Sequence, residues 1–412
     1  IYLDYEINFV RNITDIEDKI IKRAAEEGIT TKELADRVTK EFQDAYKSLN
    51  CLPPDNEPKA TETIDHIINF IEILIENGYA YVTQSGVYFE VTKFKDYLKL
   101  SGRNKDEVIS GTRVDLKSDK KNTEDFALWK ISKENEPSWN SPWGDGRPGW
   151  HIECSAMIDK IFDSGIDIHC GGNDLIFPHH ENELAQSSAA FENQVFVNYW
   201  LHNGMINLSG QKMSKSEGNI KLLNEYIDKF GGNIIRFFFL RSHYRKPQEF
   251  SEGLLEESKT TFKRIQDFTS GVVANVSDLS VIETFKNSMN DDLNTPKFLG
   301  EIFEKMNNLS NYSEDEEKNL KETIKFIFEI LGFNFDIKDN VKINHDELSK
   351  FFNTFQINYD NLEQAMEEFL AKREKLRSDK DFNQADVMRD KLKEIGLLIK
   401  DGDDSAWYWE NS

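Results

Sequence analysis

GRPGWHIECSAM at residues 146–157 and DIHCGGNDLIFPHHENE at residues 167–183 are the two stretches on which the fold assignment depends. They fall in or beside a region, residues 150–220, of short predicted strands, glycines and unusual polar side chains. Five of the eight histidines and two of the three cysteines fall between residues 151 and 202. These residues are His151, Cys154, His169, Cys170, His179, His180 and His202. This clustering of imidazoles and thiols is the first chemical signal in the chain.

A zinc site is one interpretation of this cluster. His179 and Glu183 are four residues apart on a predicted helix, so they share one face, and Cys154 is the nearest upstream thiol. A thiolate, an imidazole and a carboxylate are suitable zinc ligands. His151, one turn before Cys154, is a rival ligand, whereas His180 would point elsewhere and support the site. The alternative, which the spacing alone favours, is a buried cysteine and a histidine pair that bind nothing.

Both stretches resemble the zinc and cysteine pocket of cysteinyl-tRNA synthetases, and the resemblance runs almost from end to end of the chain. These class I enzymes activate cysteine with ATP and attach it to its tRNA. The resemblance implies that Cys154, His179 and Glu183 bind one zinc ion. It also implies that Trp150 and His169 line the pocket for L-cysteine.

The implied zinc would act through the chemistry of the substrate. Cysteine and serine differ by one atom, and a simple cavity discriminates poorly between such near-isosteres. Zinc with an open coordination position binds a thiolate far better than a hydroxyl. By resemblance, the metal therefore selects the substrate and does not activate a water. Cys170 stands where the family commonly has glycine, and it could be mistaken for a further ligand.

A second motif, KMSKS at residues 212–216, follows a predicted strand and forms a polar loop. Alone it could be a solvated loop, but in this context it resembles the second signature of class I synthetases. Two lysines on a flexible loop can neutralise the charge that builds up as pyrophosphate leaves. The resemblance implies the larger role for Lys215 and a supporting role for Lys212. With Gly171 and Asp174, these lysines make up the predicted site for ATP, which binds with magnesium.

The beginning of the chain resembles the family only in part. NITDIEDKI at residues 12–20 resembles a family block in which the position of Thr14 lies beside the substrate pocket. The first class I signature, an ATP-contacting loop of the His-x-Gly-His type, is missing, as is the cysteine that is the family's remaining zinc ligand. Residues 1–10 alternate like a strand and do not begin with Met. Because a parallel sheet without its first strand would leave backbone unpaired, we expect roughly 50–70 residues before Ile1 in the natural protein.

The overall charge argues against a general nucleic-acid binder. The chain of 412 residues has a net charge of −23, and phosphate contacts need Lys and Arg. Residues 209–247, however, carry eight basic and three acidic side chains. This basic island is compatible with one polyanionic partner, although a solvated loop and helix face would look the same. By resemblance, it would contact the acceptor arm and inner stem of tRNA(Cys).

Three cysteines are too few for a disulfide framework and indicate a reducing cytoplasm. No run of 18 apolar residues and no signal peptide occurs in the sequence, so we expect no membrane-spanning helix. We expect a monomer because no repeated interface pattern is visible.

The chain is long enough for two to four structural domains. The predicted divisions are the remainder of the first half of a catalytic domain (1–82), a connective insertion (83–149), the second catalytic half with the zinc and lysine loop (150–220), a stem-contact region (221–262), a helical bundle (263–352) and an anticodon-binding domain (355–412). Periodicity alone makes the last unit an amphipathic helical hairpin, but its sequence resembles the family's anticodon-binding domain. Trp407, Tyr408 and Trp409 are candidate rings for stacking on RNA bases.

The predicted fold class is α/β: a doubly wound parallel, Rossmann-like sheet with an insertion, followed by an α-helical bundle and a small α+β C-terminal domain. Ligands would bind at the carboxyl ends of its strands, where the strand order switches. One rival is a cysteine–amino-sugar ligase, a relative without an anticodon domain, so residues 355–412 argue against it. The other is a non-catalytic paralogue that binds zinc and tRNA, which only the missing first signature supports.

Overall fold

The computed structural model describes residues 3–104, 119–134, 136–163, 165–191, 194–208, 211–212, 223–335, 345–359, 362–395, 397–400 and 406–409. Within these ranges, no helix combines the length and the apolar character that crossing a membrane requires.

The first part of the chain is helical. Its helices are α1 (Asp18–Glu27), α2 (Thr31–Ser48) and α3 (Ile64–Glu76). A capping box begins α2, because the Thr30 hydroxyl accepts from the Glu33 N–H and the Glu33 carboxylate accepts from the Thr30 N–H. These two bonds satisfy backbone groups that a helix start would otherwise leave unpaired.

The strand predicted over residues 1–10 is wrong. Of the described residues 3–10, only Val10 forms a bridge, in parallel with Asn56. The side chains of Leu3 and Tyr5 are more than half exposed. Alternating apolar and polar residues predict a strand only where one face packs against other residues. Here the exposed apolar side chains do not pack into a core.

An antiparallel sheet follows α3 in the order β1-β2-β3-β4. Its strands are β1 (Ala80–Val82), β2 (Gly86–Phe89), β3 (Phe126–Ile131) and β4 (Gly146–Pro148). Gly86 has φ +147, and a Cβ there would lie 2.0 Å from the carbonyl oxygen of Trp129. Only glycine therefore allows β2 and β3 to approach so closely. The buried side chains of this sheet share one apolar cluster with α3.

Parallel strands carry the polar stretches. Helix α4 (Trp150–Phe162) precedes β5 (Ile166–Gly172), and α5 (Glu181–Ala190) connects β5 to its parallel partner β6 (Val197–Asn203). A second sheet, in the order β8-β7-β9, contains β7 (Ile206–Leu208), β8 (Gln211–Lys212) and β9 (Gln248–Phe250), with β7 and β9 parallel. These helix-connected parallel strands agree with the predicted α/β class, which is confirmed.

Six helices form the largest apolar cluster, together with β9 and residues that flank these elements. They are α6 (Leu223–Phe230), α7 (Gly232–Leu240), α8 (Glu252–Phe268), α9 (Leu279–Asn290), α10 (Thr295–Asn307) and α11 (Glu314–Ile330). The run Phe237–Phe239, which the sequence left open between strand and helix, is helical. A capping box of Ser313 and Glu316 begins α11.

The end of α2 is tied to the start of α7. The amide of Asn50 donates to Asn233 Oδ1 at 3.2 Å, and Asn233 Nδ2 donates to the carbonyl oxygen of Asn334 at 2.8 Å. A Cβ on Gly232 would lie 1.7 Å from the carbonyl oxygen of Ser48. The end of α2 and the start of α7 are therefore joined by backbone in close contact.

The last unit has its own apolar cluster. It contains α12 (His345–Thr354), α13 (Leu362–Ser378), α14 (Phe382–Glu394), and the antiparallel strands β10 (Leu397–Lys400) and β11 (Ala406–Trp409). Leu348 and Phe352 of α12 are buried in this cluster with Phe369 of α13. Helix α12 therefore packs with the C-terminal elements.

Candidate active site

Three potential metal ligands meet between α4 and α5. Cys154 lies in the second turn of α4, His179 in the turn of residues 176–180 that leads into α5, and Glu183 in the first turn of α5. All three side chains are buried, and one ligand atom from each lies within 4.8 Å of the others. Cys154 Sγ is 3.6 Å and Glu183 Oε1 is 2.8 Å from His179 Nε2.

His179 Nε2 and Glu183 Oε1 lie 2.8 Å apart, the distance of an ion pair when the imidazole is protonated. Among the described residues, no donor is aligned with Glu183 Oε1, which is fully buried. Such an oxygen is costly to leave unpaired. A cation shared by His179 Nε2 and Glu183 Oε1 would satisfy it, so these residues fit a bound metal.

His151 lies behind His179 and can fix its protonation. The two Nδ1 atoms are 2.9 Å apart, so one of them must donate and the other accept. Burial, aided by the charge of His179, lowers the pKa of His151 to about 3, so His151 is neutral. If His179 Nδ1–H donates to it, the Nε2 lone pair of His179 faces Cys154 and Glu183. This partner orients a metal ligand, as the outer neighbours of metal-bound histidines generally do.

The ionisation of the two acidic groups is set by burial and by the histidines. Burial, reinforced by the charges of Glu183 and Glu153, raises the pKa of the Cys154 thiol well above its usual value. Burial also opposes the charge of Glu183, but His169 and His179 outweigh it and lower the pKa of that carboxyl. The group therefore combines an ionised carboxylate with a thiol that only a nearby cation would deprotonate.

A second group of potential metal ligands consists of His169, His180 and Glu183, again with one ligand atom of each within 4.8 Å of the others. His169 Nε2 is 2.8 Å from Glu183 Oε2, and His180 Nδ1 is 2.8 Å from His202 Nε2. The Cε1 atom of His180 lies 2.5 Å from where a Cβ on Gly171 would be, so only glycine fits there. The supporting role of His180 stays a prediction. His202 was noted only as part of the histidine cluster, because its place depends on the pairing of β6 with β5.

Trp150 forms one wall of the site. Its ring stacks on His179 with 4.3 Å between centroids and 22° between planes, and it remains 39% exposed. A ring that is stacked yet accessible can contact a small ligand beside the metal position. Trp200, opposite His169 in the β5–β6 register, adds a second ring at 5.0 Å, which the sequence did not indicate.

The segment before residue 104 contacts the start of α5. The two carboxylate oxygens of Glu181 accept from the backbone N–H groups of Leu98 and Ser101, each at 2.8 Å. Tyr97 donates its hydroxyl proton to Asn182 Oδ1 at 2.6 Å. Part of the predicted insertion therefore holds the ligand-bearing turn in place. The acidic and amide residues that follow the two histidines were the only sequence sign of this contact.

The remaining predicted site residues are more scattered. Gly171 is the penultimate residue of β5, beside the histidines, and Asp174 lies on the surface of the following turn. Thr14 is half-buried in the first segment, next to the bridge between Ile13 and Lys59. Among the described residues, no hydrogen bond or ion pair joins Thr14 to the potential metal ligands, so its role stays a prediction.

The lysine motif lies only partly within the described residues. Lys212 is the last residue of β8, and its backbone pairs with Asn207 of β7. Lys215 and the rest of the motif lie outside the described residues. Cys170 is exposed and adjoins His169 on β5. It belongs to neither of the two ligand groups found among the described residues.

Comparison with known protein families assigns most of the chain. Residues 1–260 match the model described as tRNA synthetases class I (C) catalytic domain. Residues 284–336 match the DALR domain, and residues 360–409 match the Cysteinyl-tRNA ligase anticodon binding domain. Together these models cover the catalytic elements, part of the helical bundle and the C-terminal unit.

Two curated relatives match over nearly the full chain. A cysteine–tRNA ligase of Acinetobacter baumannii (strain AYE) is 43% identical over 414 residues, covering 96% of this chain and 85% of that protein. A cysteine–tRNA ligase of Pelagibacter ubique (strain HTCC1062) is 42% identical, with 97% and 84% covered. Among solved structures, Mycobacterium tuberculosis methionyl-tRNA synthetase in complex with methionyl-adenylate aligns with a TM-score of 0.56 and 16% identity, covering 80% of this chain and 82% of that one. At that identity the likeness shows the fold alone.

Proposed function

The chain belongs to the cysteine–tRNA ligase family of class I aminoacyl-tRNA synthetases, and we propose that its Cys154, His179 and Glu183 hold the zinc ion by which such an enzyme recognises cysteine. When bound, zinc would offer an open position to a soft sulfur ligand, which it prefers to a hydroxyl. Serine would then bind poorly, because its hydroxyl is a poor zinc ligand. The shape of a pocket alone discriminates poorly between the two amino acids.

The observation that carries this proposal is the buried, unpaired Glu183 Oε1 atom that faces His179 Nε2 at 2.8 Å. With Nε2 of His179 unprotonated, a cation bound by both atoms would satisfy this oxygen. The thiol of Cys154, 3.6 Å from the same nitrogen, completes a soft donor set. Thiolate, imidazole and carboxylate together favour zinc over magnesium or calcium, which prefer oxygen ligands.

The surrounding residues have distinct proposed roles. Trp150 and His169 would line the amino-acid pocket on two sides of the metal position, with Thr14 at its margin. His169 also fixes the second oxygen of Glu183 through its Nε2 atom. His151 holds His179 in the tautomer that leaves Nε2 free. These residues bind and orient the substrate and take no proton from it in this proposal.

The phosphate end of the site is proposed from the motif. Lys215 and Lys212 would neutralise the charge that develops as pyrophosphate leaves and the cysteine carboxylate attacks the α-phosphate of ATP. Gly171 and Asp174, at the carboxyl end of β5, would lie along the bound ATP and its magnesium. The second step would transfer the cysteinyl group to tRNA(Cys), whose anticodon we assign to residues 360–409 on the family match.

Three unpaired cysteines fit a protein of the reducing cytoplasm.

Replacing Cys154 by serine tests the zinc assignment. The purified wild-type protein is expected to contain one zinc per chain and to catalyse cysteine-dependent ATP–pyrophosphate exchange. Cys154→Ser should lose the metal, raise the KM for cysteine and narrow the preference for cysteine over serine. Zinc is measured by X-ray fluorescence, and exchange is measured with both amino acids.

Cys170→Ser is the matched control, because Cys170 is close in sequence but exposed and outside the ligand groups. It should keep its zinc and its KM for cysteine. If Cys170→Ser loses the metal while Cys154→Ser retains it, the ligand assignment is wrong. A wild-type protein without any zinc would refute the metal itself.

A further inference from the structure

The carboxylate of Asp292 in the helical bundle contacts three consecutive side chains of the loop of residues 241–247. This loop connects α7 to β9. Tyr244 donates its hydroxyl proton to Asp292 Oδ1 at 2.7 Å. The Arg245 guanidinium donates to both oxygens of Asp292, with Nη2 3.1 Å from Oδ1. His243 Nε2 lies 3.8 Å from Oδ2. Asp292 is therefore the point at which the loop is fixed to the turn between α9 and α10.

The turn that presents Asp292 has an unusual backbone. Asp292 and Leu293 both have φ of +55°, in the left-handed region. Aspartate tolerates this region, but leucine rarely adopts it. Leu293 is 49% exposed, so burial of its side chain does not explain the conformation. Two backbone bonds hold the turn, from Leu293 N–H to Met289 O at 3.0 Å and from Asn294 N–H to Ser288 O at 2.9 Å. Such conformations persist where the surrounding structure fixes them, and they cluster at functional positions.

The same loop is packed on the backbone that leads to the lysine motif. Gly204 N–H donates to Tyr244 O at 2.7 Å, and Gln248 N–H donates to Met205 O at 2.9 Å. A Cβ on Gly204 would lie 2.2 Å from the backbone of Lys246. Gly204 and Met205 link β6 to β7, so the loop fixes the position at which β7 begins.

Strand β7 then connects this position to the lysine motif. It pairs in parallel with β9 and in antiparallel with β8, where Asn207 is opposite Lys212. A continuous series of hydrogen bonds thus leads from Asp292, through the loop and β7, to the strand that carries Lys212.

We propose that Asp292 is a positioning residue, which holds the root of the lysine loop in place for adenylate formation. This inference rests on the proposed function, because it takes the motif at 212–216 to act on ATP. The hydrogen bonds from Arg245 and Tyr244 lower the pKa of Asp292 to about 2. The carboxylate therefore stays ionised at neutral pH and keeps both partners.

The test is Asp292→Asn, which keeps the size of the side chain and its tolerance of the left-handed region but removes its charge. The kcat for cysteine-dependent ATP–pyrophosphate exchange should fall about tenfold, because small displacements of catalytic groups are costly. The KM values for ATP and cysteine should not change, and kcat is expressed per active site titrated by burst kinetics. The matched control is Asp291→Asn, since Asp291 contacts only Lys297 and Asn294 through its side chain among the contacts seen here. Its kcat for ATP–pyrophosphate exchange should equal that of the wild type.

A double-mutant cycle with Arg245→Gln separates positioning from general destabilisation. If the two residues act as one unit, the double variant loses no more kcat than either single variant. Additive losses, or a fall that disappears when kcat is expressed per active site, would overturn the inference. An Asp292→Asn variant with the same kcat for exchange as Asp291→Asn would also overturn the inference. If the wild type itself shows no cysteine-dependent exchange, the proposed function fails instead, and the two failures are distinguishable.

Discussion

Each histidine of the site has a different partner, and the partner decides its chemical role. His179 meets His151 through Nδ1 and faces the metal position through Nε2. His169 contacts Glu183, and His180 contacts His202. A histidine can be donor or acceptor at either nitrogen. Its neighbours therefore determine whether it binds a metal, orients another side chain or contacts a substrate.

At this scale we predict that His151→Phe weakens metal binding. Phenylalanine retains a ring of similar shape but offers no acceptor to His179 Nδ1–H, so His179 loses the partner that fixes its tautomer. Loss of such an outer partner commonly costs about 10–100-fold in metal affinity. The affinity for zinc is measured by competition with a chromogenic chelator.

His66→Phe is the control for the previous variant, because His66 pairs with Asp159 and is not in either ligand group among the described residues. Its zinc affinity should equal that of the wild type. Equal affinities for wild type, His66→Phe and His151→Phe would show that His151 does not act on the metal ligand.

The sequence predicted some of these roles and could not predict others. The i, i+4 spacing on a helix places His179 and Glu183 on one face, and clustering draws attention to Cys154. The contact of His180 with His202 depends on the parallel register of β5 and β6, in which Gly171 lies opposite His202. No local pattern encodes such a register, so only the structure reveals it.

At the scale of elements, local signals predicted helix ends better than they predicted strands. Both capping boxes form, at Thr30 and at Ser313, because they depend on residues three apart in the chain. The alternating run at residues 1–10 does not form the expected strand, because a strand needs a covered face as well as a pattern. The run at 237–239 is helical, with Phe237 and Phe238 packed into the helical cluster and Phe239 exposed.

The junction of α2 and α7 yields a prediction at this scale. Gly232→Ala should lower the stability of the protein by about 3 kcal/mol, because its Cβ would lie 1.7 Å from the carbonyl oxygen of Ser48 and a tightly packed backbone must move. Gly300→Ala, inside α10 with no atom within 4 Å of the new Cβ, should raise stability by about 0.5–1 kcal/mol. Urea unfolding of the two variants beside the wild type measures both changes. Similar shifts of the same sign would contradict the close contact at Gly232.

The whole molecule contains three separate apolar clusters, of which the C-terminal one shares no buried residue with the other two among the described residues. Separate cores allow one unit to be removed without exposing another. The contact of Asn50 with Asn233 could not be predicted, because these residues are 183 positions apart.

A C-terminal truncation tests whether the two ends of the chain serve different steps of the reaction. Deleting residues 345–412 should abolish attachment of cysteine to tRNA(Cys) while ATP–pyrophosphate exchange survives. The cut is placed before α12, because its Leu348 and Phe352 pack into the C-terminal cluster and would otherwise be left exposed. Both reactions are measured on the same preparation. Loss of exchange in a truncated protein that keeps its circular dichroism spectrum would show that the C-terminal unit also serves the first step.

The position of the metal ligands along the chain has a consequence for the order of assembly during synthesis. Cys154 and His179 are 25 residues apart, whereas the Asn50–Asn233 contact spans 183. The entropy lost on closing a loop grows with its length, so the ligand pocket closes at lower entropic cost than the junction of α2 and α7. A chain emerging from the ribosome carries every ligand of the pocket once Glu183 has left the exit tunnel, whereas Asn50 must wait for Asn233. The three proposed zinc ligands are thus all synthesised before the residue that joins α2 to α7.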